Sequence, residues 1–90
     1  MPRKHYHVFV HGKVQGVAFR EYTRREAIRL DLVGWVRNLP NGAVEVLFEG
    51  EAISAEALLQ WLHTGSPYAE VRHLEANEEQ AIGDWDSFSV

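Results

Sequence analysis

The segment GKVQGVAFR, residues 12–20, combines residue types that bind anions. Alternation over residues 5–11 predicts a strand before it, and the apolar spacing from Phe19 onward predicts a helix after it. Amides at a helix N-terminus lack intrahelical partners and lie at the positive end of the helix dipole, so they attract phosphate or carboxylate. Glycines let such a loop turn sharply, and the guanidinium of Arg20 can bind two phosphate oxygens. Two interpretations follow, an anion-binding loop or a plain β-to-α connection. A cationic residue such as Arg20 is unfavourable at a helix N-terminus unless an anion lies beside it, which favours the first interpretation.

The histidines are the other candidates for chemistry, as metal ligands. His5 and His7 project from the same strand face about 6.6 Å apart, and His11 lies a further ~13 Å along that strand. A metal held by the first two would need another ligand, such as His73. An exposed sheet face accounts for these histidines equally well, so we expect no metal site.

The elements that must position the loop follow from hydrophobic periodicity and turn residues. Ser54 is expected to cap the second helix, and Gly65 and Pro67 to end it. The order β-α-β-β-α-β predicts the ferredoxin-like α+β sandwich, an antiparallel sheet covered on one face by two helices. The predicted strands are 5–11, 35–39, 43–49, 69–76 and a short edge strand at 88–90, with the first helix near 19–30 and a polar connector at 77–84.

Charge and composition restrict the partners. Residues 1–40 carry a net charge of +5 and residues 41–90 a net charge of −9, which suits a small anionic ligand better than a long polyanion. We therefore expect no nucleic acid partner, although Phe9 and the histidines would be the stacking residues of an RNA-binding sheet. No apolar run approaches the roughly 20 residues that span a bilayer, and the chain has no cysteine. We expect a cytoplasmic monomer without membrane contact.

Two motifs make the sequence resemble the acylphosphatase family. Both fall where that family places them, the first between strand and helix and the second on the central hairpin. The resemblance covers residues 4–90, which indicates a single domain. The first motif, G-x-V-Q-G-V-x-F-R, is present as Gly12, Val14, Gln15, Gly16, Val17, Phe19 and Arg20, and the second, G-[aromatic]-V-[basic]-N-x-x-x-G-x-V, as Gly34, Trp35, Val36, Arg37, Asn38, Gly42 and Val44.

The resemblance implies hydrolysis of acyl phosphates, small-molecule substrates, to a carboxylate and inorganic phosphate. It implies that Arg20 binds the substrate phosphate together with the loop amides, and that Asn38 positions the attacking water. No cofactor, metal or covalent intermediate is implied. The residues expected at the phosphate are Gln15, Gly16, Val17, Ala18, Phe19 and Arg20.

The residue chemistry is consistent with that role. Phosphoryl transfer depends mainly on positioning and on stabilising charge at the phosphate oxygens, which amides and a guanidinium supply. A neutral asparagine such as Asn38 can orient water but is a very poor base, so the proton would pass to the substrate phosphate. The alternative is a non-catalytic phosphate-binding regulatory module of the same fold, which would not need Asn38.

Asp31 stands where relatives commonly have glycine after the first helix, which predicts a weaker helix end.

Overall fold

The computed structural model describes residues 2–83 and 85–90. The predicted βαββαβ order is confirmed, with a short fifth strand after it. The elements are β1 (Arg3–Lys13), α1 (Phe19–Arg29), β2 (Val33–Asn38), β3 (Val44–Glu51), α2 (Ala52–Leu62), β4 (Glu70–Glu79) and β5 (Phe88–Ser89).

The five strands form one sheet in the order β4-β1-β3-β2-β5. Neighbouring strands among the first four are antiparallel, as predicted, with Tyr6 opposite Phe48 and Asn38 opposite Val44. The fifth strand is parallel to β2, with Phe88 opposite Gly34, so the sheet is mixed rather than wholly antiparallel. β2 and β5 are not consecutive in the chain, because β3, α2 and β4 lie between them.

Alternation along the central strands puts their apolar side chains on the face that the helices cover. Thr23 is also fully buried on α1, where its hydroxyl donates to the carbonyl of Phe19 at 2.7 Å. One continuous core joins this sheet face to both helices. Its central side chains are Val8, Val10, Val36, Val44, Val46 and Phe48 from the sheet, and Phe19, Ala27, Ala55, Leu58 and Leu62 from the helices.

Two of the predicted element boundaries are wrong by three residues, and those of β1, α1, β2, β3 and β5 differ from the structure by at most two. The second helix begins at Ala52 with Glu51 in the cap position, so Ser54 lies inside the helix and does not cap it. Strand β3 runs directly into this helix without a polar turn, and Ser54 therefore marks no boundary. Residues 77–79 continue β4 rather than forming a connector, because they pair with β1 as far as His5 opposite Glu79.

The face of the sheet opposite the helices carries the β1 histidines, which were expected to be exposed. His5 is instead buried, and its Nδ1 lies 2.9 Å from Oε1 of the buried Glu49 on the neighbouring strand. The backbone amides of Ile82 and Gly83 donate to the same carboxylate at 2.7 Å each. The segment after β4 therefore folds back over this end of the open face and covers the pair.

Candidate active site

The loop between β1 and α1 departs from ordinary backbone geometry at both glycines of the first motif. Gly12 has φ 130° at a bulge in the β1–β4 pairing, and a Cβ there would lie 2.2 Å from the carbonyl oxygen of Glu70. Gly16 has φ 71°, in the left-handed region, with open space where a Cβ would stand. Only glycine meets the close approach at the first position, and glycine adopts the turn at the second without strain.

Ala18 ends the loop in a conformation that alanine rarely adopts. It is the residue before α1 and has φ 60° and ψ 24°, the left-handed region, with no side chain capping the helix. A single left-handed residue other than glycine costs about 1–2 kcal/mol. Such strain persists where the surrounding structure imposes it, often at a ligand-binding site. The helix thus begins at Phe19 with uncapped amides beside the loop.

Arg20 and Asn38 line one pocket beside this loop. The pocket has a volume of about 190 Å³, smaller than the roughly 300–1,000 Å³ of pockets for drug-sized ligands. Arg20 lies in the first turn of α1, and Asn38 is the last residue of β2. The fold therefore brings together two side chains eighteen residues apart. The lining consists of Val14, Gly16, Ala18, Phe19, Arg20, Glu21, Asn38 and Val90.

Gln15 and Val17, which were also expected at the phosphate, do not line the pocket. Val17 is buried, and its carbonyl accepts a hydrogen bond from the Ser66 hydroxyl at 2.7 Å. The Gln15 amide nitrogen donates to the carbonyls of Leu39 and Ala43, both at 2.8 Å. These carbonyls lie at the two ends of the hairpin turn that follows Asn38. Gln15 thus ties the loop to the strand that carries Asn38.

Comparisons with known proteins show the family of this chain. The family model described as Acylphosphatase matches residues 6–90. The chain belongs to the acylphosphatase family. It is 49% identical over 87 residues to an acylphosphatase of Syntrophus aciditrophicus, covering 97% of this chain and 91% of that protein. It is 51% identical to an acylphosphatase of Rubrobacter xylanophilus, covering 97% and 79%.

A solved structure agrees in fold as well. The crystal structure of acylphosphatase from Bacillus subtilis is 33% identical, with a TM-score of 0.93 over 97% of both chains. Membership in the acylphosphatase family makes this chain a hydrolase and supports acyl phosphate hydrolysis in general. No helix among the described residues is long and apolar enough to cross a membrane.

Charge at the acylphosphatase pocket is divided between the two adjacent residues of α1. Arg20 is exposed and pairs with no acidic side chain within residues 2–83 and 85–90. Glu21 faces the same pocket, and its carboxylate lies 3.4 Å from Arg24 Nη1 and 3.0 Å from Arg25 Nε. Among the described residues, the nearby carboxylate of Glu21 is thus paired with Arg24 and Arg25 and not with Arg20.

Four features of this pocket were missed in the sequence: Val14, Glu21 and Val90 as lining residues, and the Gln15 side chain as a link to the hairpin. Glu21 follows Arg20 directly and could have been placed in the first helical turn. Val90 reaches the pocket because β5 runs parallel to β2, toward Asn38. The Gln15 contacts join residues 24 and 28 positions apart, and periodicity carries no signal for them.

The histidines take part in local pairs on the sheet. His7 Nε2 lies 2.6 Å from Glu45 Oε2, and the rings of His11 and His73 stack with centroids 5.6 Å apart. In the part of the chain that the structure describes, no group of three or more His, Cys, Asp or Glu side chains is arranged to hold a metal ion. His5 lies against Glu49 instead.

Proposed function

We propose that the chain hydrolyses acyl phosphates by direct attack of water on the phosphorus. Arg20 and the uncapped amides at the start of α1 hold the phosphate, and Asn38 positions the water. The observation that carries this proposal is that the side chains of Arg20 and Asn38 line the same small pocket. The mixed anhydride is split into a carboxylate and inorganic phosphate.

The loop and Arg20 supply charge stabilisation. The amides of Gly16 to Arg20 follow a backbone bent by two left-handed residues, Gly16 and Ala18, and lie at the positive end of the α1 dipole. The guanidinium adds a planar fork that matches two phosphate oxygens. Preorganised donors of this kind stabilise the charge on the equatorial oxygens as the bond to phosphorus changes.

Asn38 supplies position rather than basicity. Its amide is neutral, so it orients the water by hydrogen bonding while the new oxygen–phosphorus bond forms. The bond from phosphorus to the acyl oxygen breaks, and its electron pair leaves on the carboxylate. A carboxylate is a stable leaving group, so no strong acid is needed there. The proton of the water passes to a phosphate oxygen of the substrate.

Hydrolysis of benzoyl phosphate by wild type, Arg20→Gln and Asn38→Ala tests this assignment. We expect kcat/KM to fall at least 100-fold in both variants, about 2.7 kcal/mol of transition-state stabilisation. Arg29→Gln and Asn77→Ala are matched controls, because Arg29 is exposed on the same helix and Asn77 is exposed on β4. Full activity in either site variant would refute the role of that residue. Phosphate binding by a wild type without turnover would instead support a regulatory module.

A further inference from the structure

Two of the exposed side chains that line the pocket have no part in holding phosphate or water. Val14 and Phe19 are buried in the core, and the proposed function employs Arg20 and Asn38. The remaining lining side chains are those of Glu21 and Val90, apart from Gly16 and Ala18 of the loop itself. An acyl group that extends from the phosphate site along this side of the pocket contacts these two residues.

Glu21 carries the negative charge at this rim. Its side chain is 46% exposed, and Glu21 is one of the residues that line the pocket. Its partners Arg24 and Arg25 are also exposed and do not line the pocket, and exposed ion pairs neutralise a carboxylate only in part. Arg25 is further held over the ring of Tyr22, 5.4 Å from the centroid.

Val90 gives the same rim an apolar surface. Its side chain is 58% exposed and lines the same pocket. An uncharged acyl group can contact this side chain and bury apolar area. An acyl group with its own carboxylate would place a second negative charge near Glu21.

We propose that Glu21 makes the pocket discriminate against acyl groups that carry a negative charge, so that the substrates are phosphates of uncharged, largely apolar acids. This inference rests on the proposed function and names the substrate class of the same site. A like charge near a solvated surface carboxylate changes kcat/KM by about three- to tenfold. Arg20 still binds the phosphate in either case.

The test compares benzoyl phosphate with 4-carboxybenzoyl phosphate, which differs by one carboxylate far from the reacting bond. The measured quantity is the preference, which is kcat/KM for benzoyl phosphate divided by kcat/KM for 4-carboxybenzoyl phosphate, in wild type, Glu21→Gln and Glu26→Gln. Comparing this preference between the proteins cancels the different intrinsic reactivities of the two compounds. Glu26 is the matched control, since it lies on the same helix, pairs with Arg29 and does not line the pocket.

We expect Glu21→Gln to lower the preference for benzoyl phosphate about three- to tenfold, and Glu26→Gln to leave it unchanged. The difference between wild type and Glu21→Gln should shrink when salt is raised to about 1 M, because exposed charges are then screened within about 3 Å. An unchanged ratio in Glu21→Gln would overturn the inference while leaving the proposed function intact. Failure of wild type to hydrolyse either compound would instead refute the proposed function.

Discussion

Glu49 offers the sharpest prediction about stability. It has no exposed surface and accepts hydrogen bonds from His5 Nδ1 at 2.9 Å and from the amides of Ile82 and Gly83 at 2.7 Å. Arg3 lies 3.5 Å away and is half exposed. Burial raises the pKa of Glu49, but the hydrogen bonds from His5, Ile82 and Gly83 outweigh it and hold the pKa at about 2 against an ordinary 4.5.

The size and sign of the effect follow from that pKa. A carboxyl group whose pKa falls from 4.5 to about 2 contributes on the order of 2–3 kcal/mol when ionised, and we take ~2 kcal/mol as the expected size. The folded pKa lies below the unfolded one. The stabilisation is therefore fully present above pH 4.5 and is lost as the pH falls toward 2.

The perturbation is Glu49→Gln, which keeps the shape of the side chain and removes its charge. Urea unfolding followed by tryptophan fluorescence should give a loss of ~2 kcal/mol at pH 7 and of less than ~1 kcal/mol at pH 3. Glu56→Gln removes an exposed carboxylate paired with Lys4 and should change stability by less than ~0.5 kcal/mol. A loss that stays the same at pH 7 and pH 3 would refute the assignment of a low pKa to Glu49.

Three further predictions concern the loop and the helix end. Asp31→Gly should raise the free energy of unfolding by about 0.5–1 kcal/mol, because Asp31 has φ 58° directly after α1; no gain in urea unfolding would contradict this. Gln15→Leu removes two hydrogen bonds to the hairpin and should cost about 1–2 kcal/mol, with kcat falling more than phosphate affinity. Gln60→Leu on exposed α2 surface is its control, and equal losses in kcat and phosphate affinity would argue against a positioning role for Gln15. Gly12→Ala should destabilise the fold by more than ~2 kcal/mol, because the added Cβ meets the Glu70 carbonyl oxygen. Gly16→Ala should cost only ~1 kcal/mol, because the added Cβ meets open space and only backbone strain remains. A larger loss for Gly16→Ala than for Gly12→Ala in urea unfolding would contradict the loop geometry.

The fold was predictable because each helix and long strand carries its own periodic signal. Val8 and Val10, at spacing two, and Leu58 and Leu62, at spacing four, all lie in the core where those patterns put them. The turn residues after Asn38 marked the central hairpin, and the glycine-rich loop marked the start of α1. Local pattern and tertiary structure agree in these elements.

The errors arose where tertiary contacts decide the structure. Ser54 is a good capping residue, yet β3 continues into α2 at Ala52 and leaves no position for a cap at residue 54. His5 looked solvent-facing from its strand parity, but Glu49 and the segment after β4 bury it. A polar run at 77–79 can remain in a strand because β4 is an edge strand whose side chains are exposed.

The same reasoning applies to the site. Arg20 could be linked to phosphate from the loop and helix end alone, whereas the relevance of Asn38 depended on the second motif. That they line one pocket depends on β2 ending beside the start of α1, which only the folded chain establishes. Val90 and the Gln15 side chain meet this region through long-range pairing, which leaves no trace in local sequence.

The separation of binding from turnover in Asn38→Ala tests the central claim most directly. Inorganic phosphate binding and the single-turnover rate with benzoyl phosphate should be measured on the same preparations of wild type and variant. If Arg20 and the loop hold phosphate while Asn38 only positions water, Kd should stay within about threefold, and the rate should fall at least 100-fold, about 2.7 kcal/mol. An unchanged rate, or a Kd that rises in step with the loss of rate, would contradict the account.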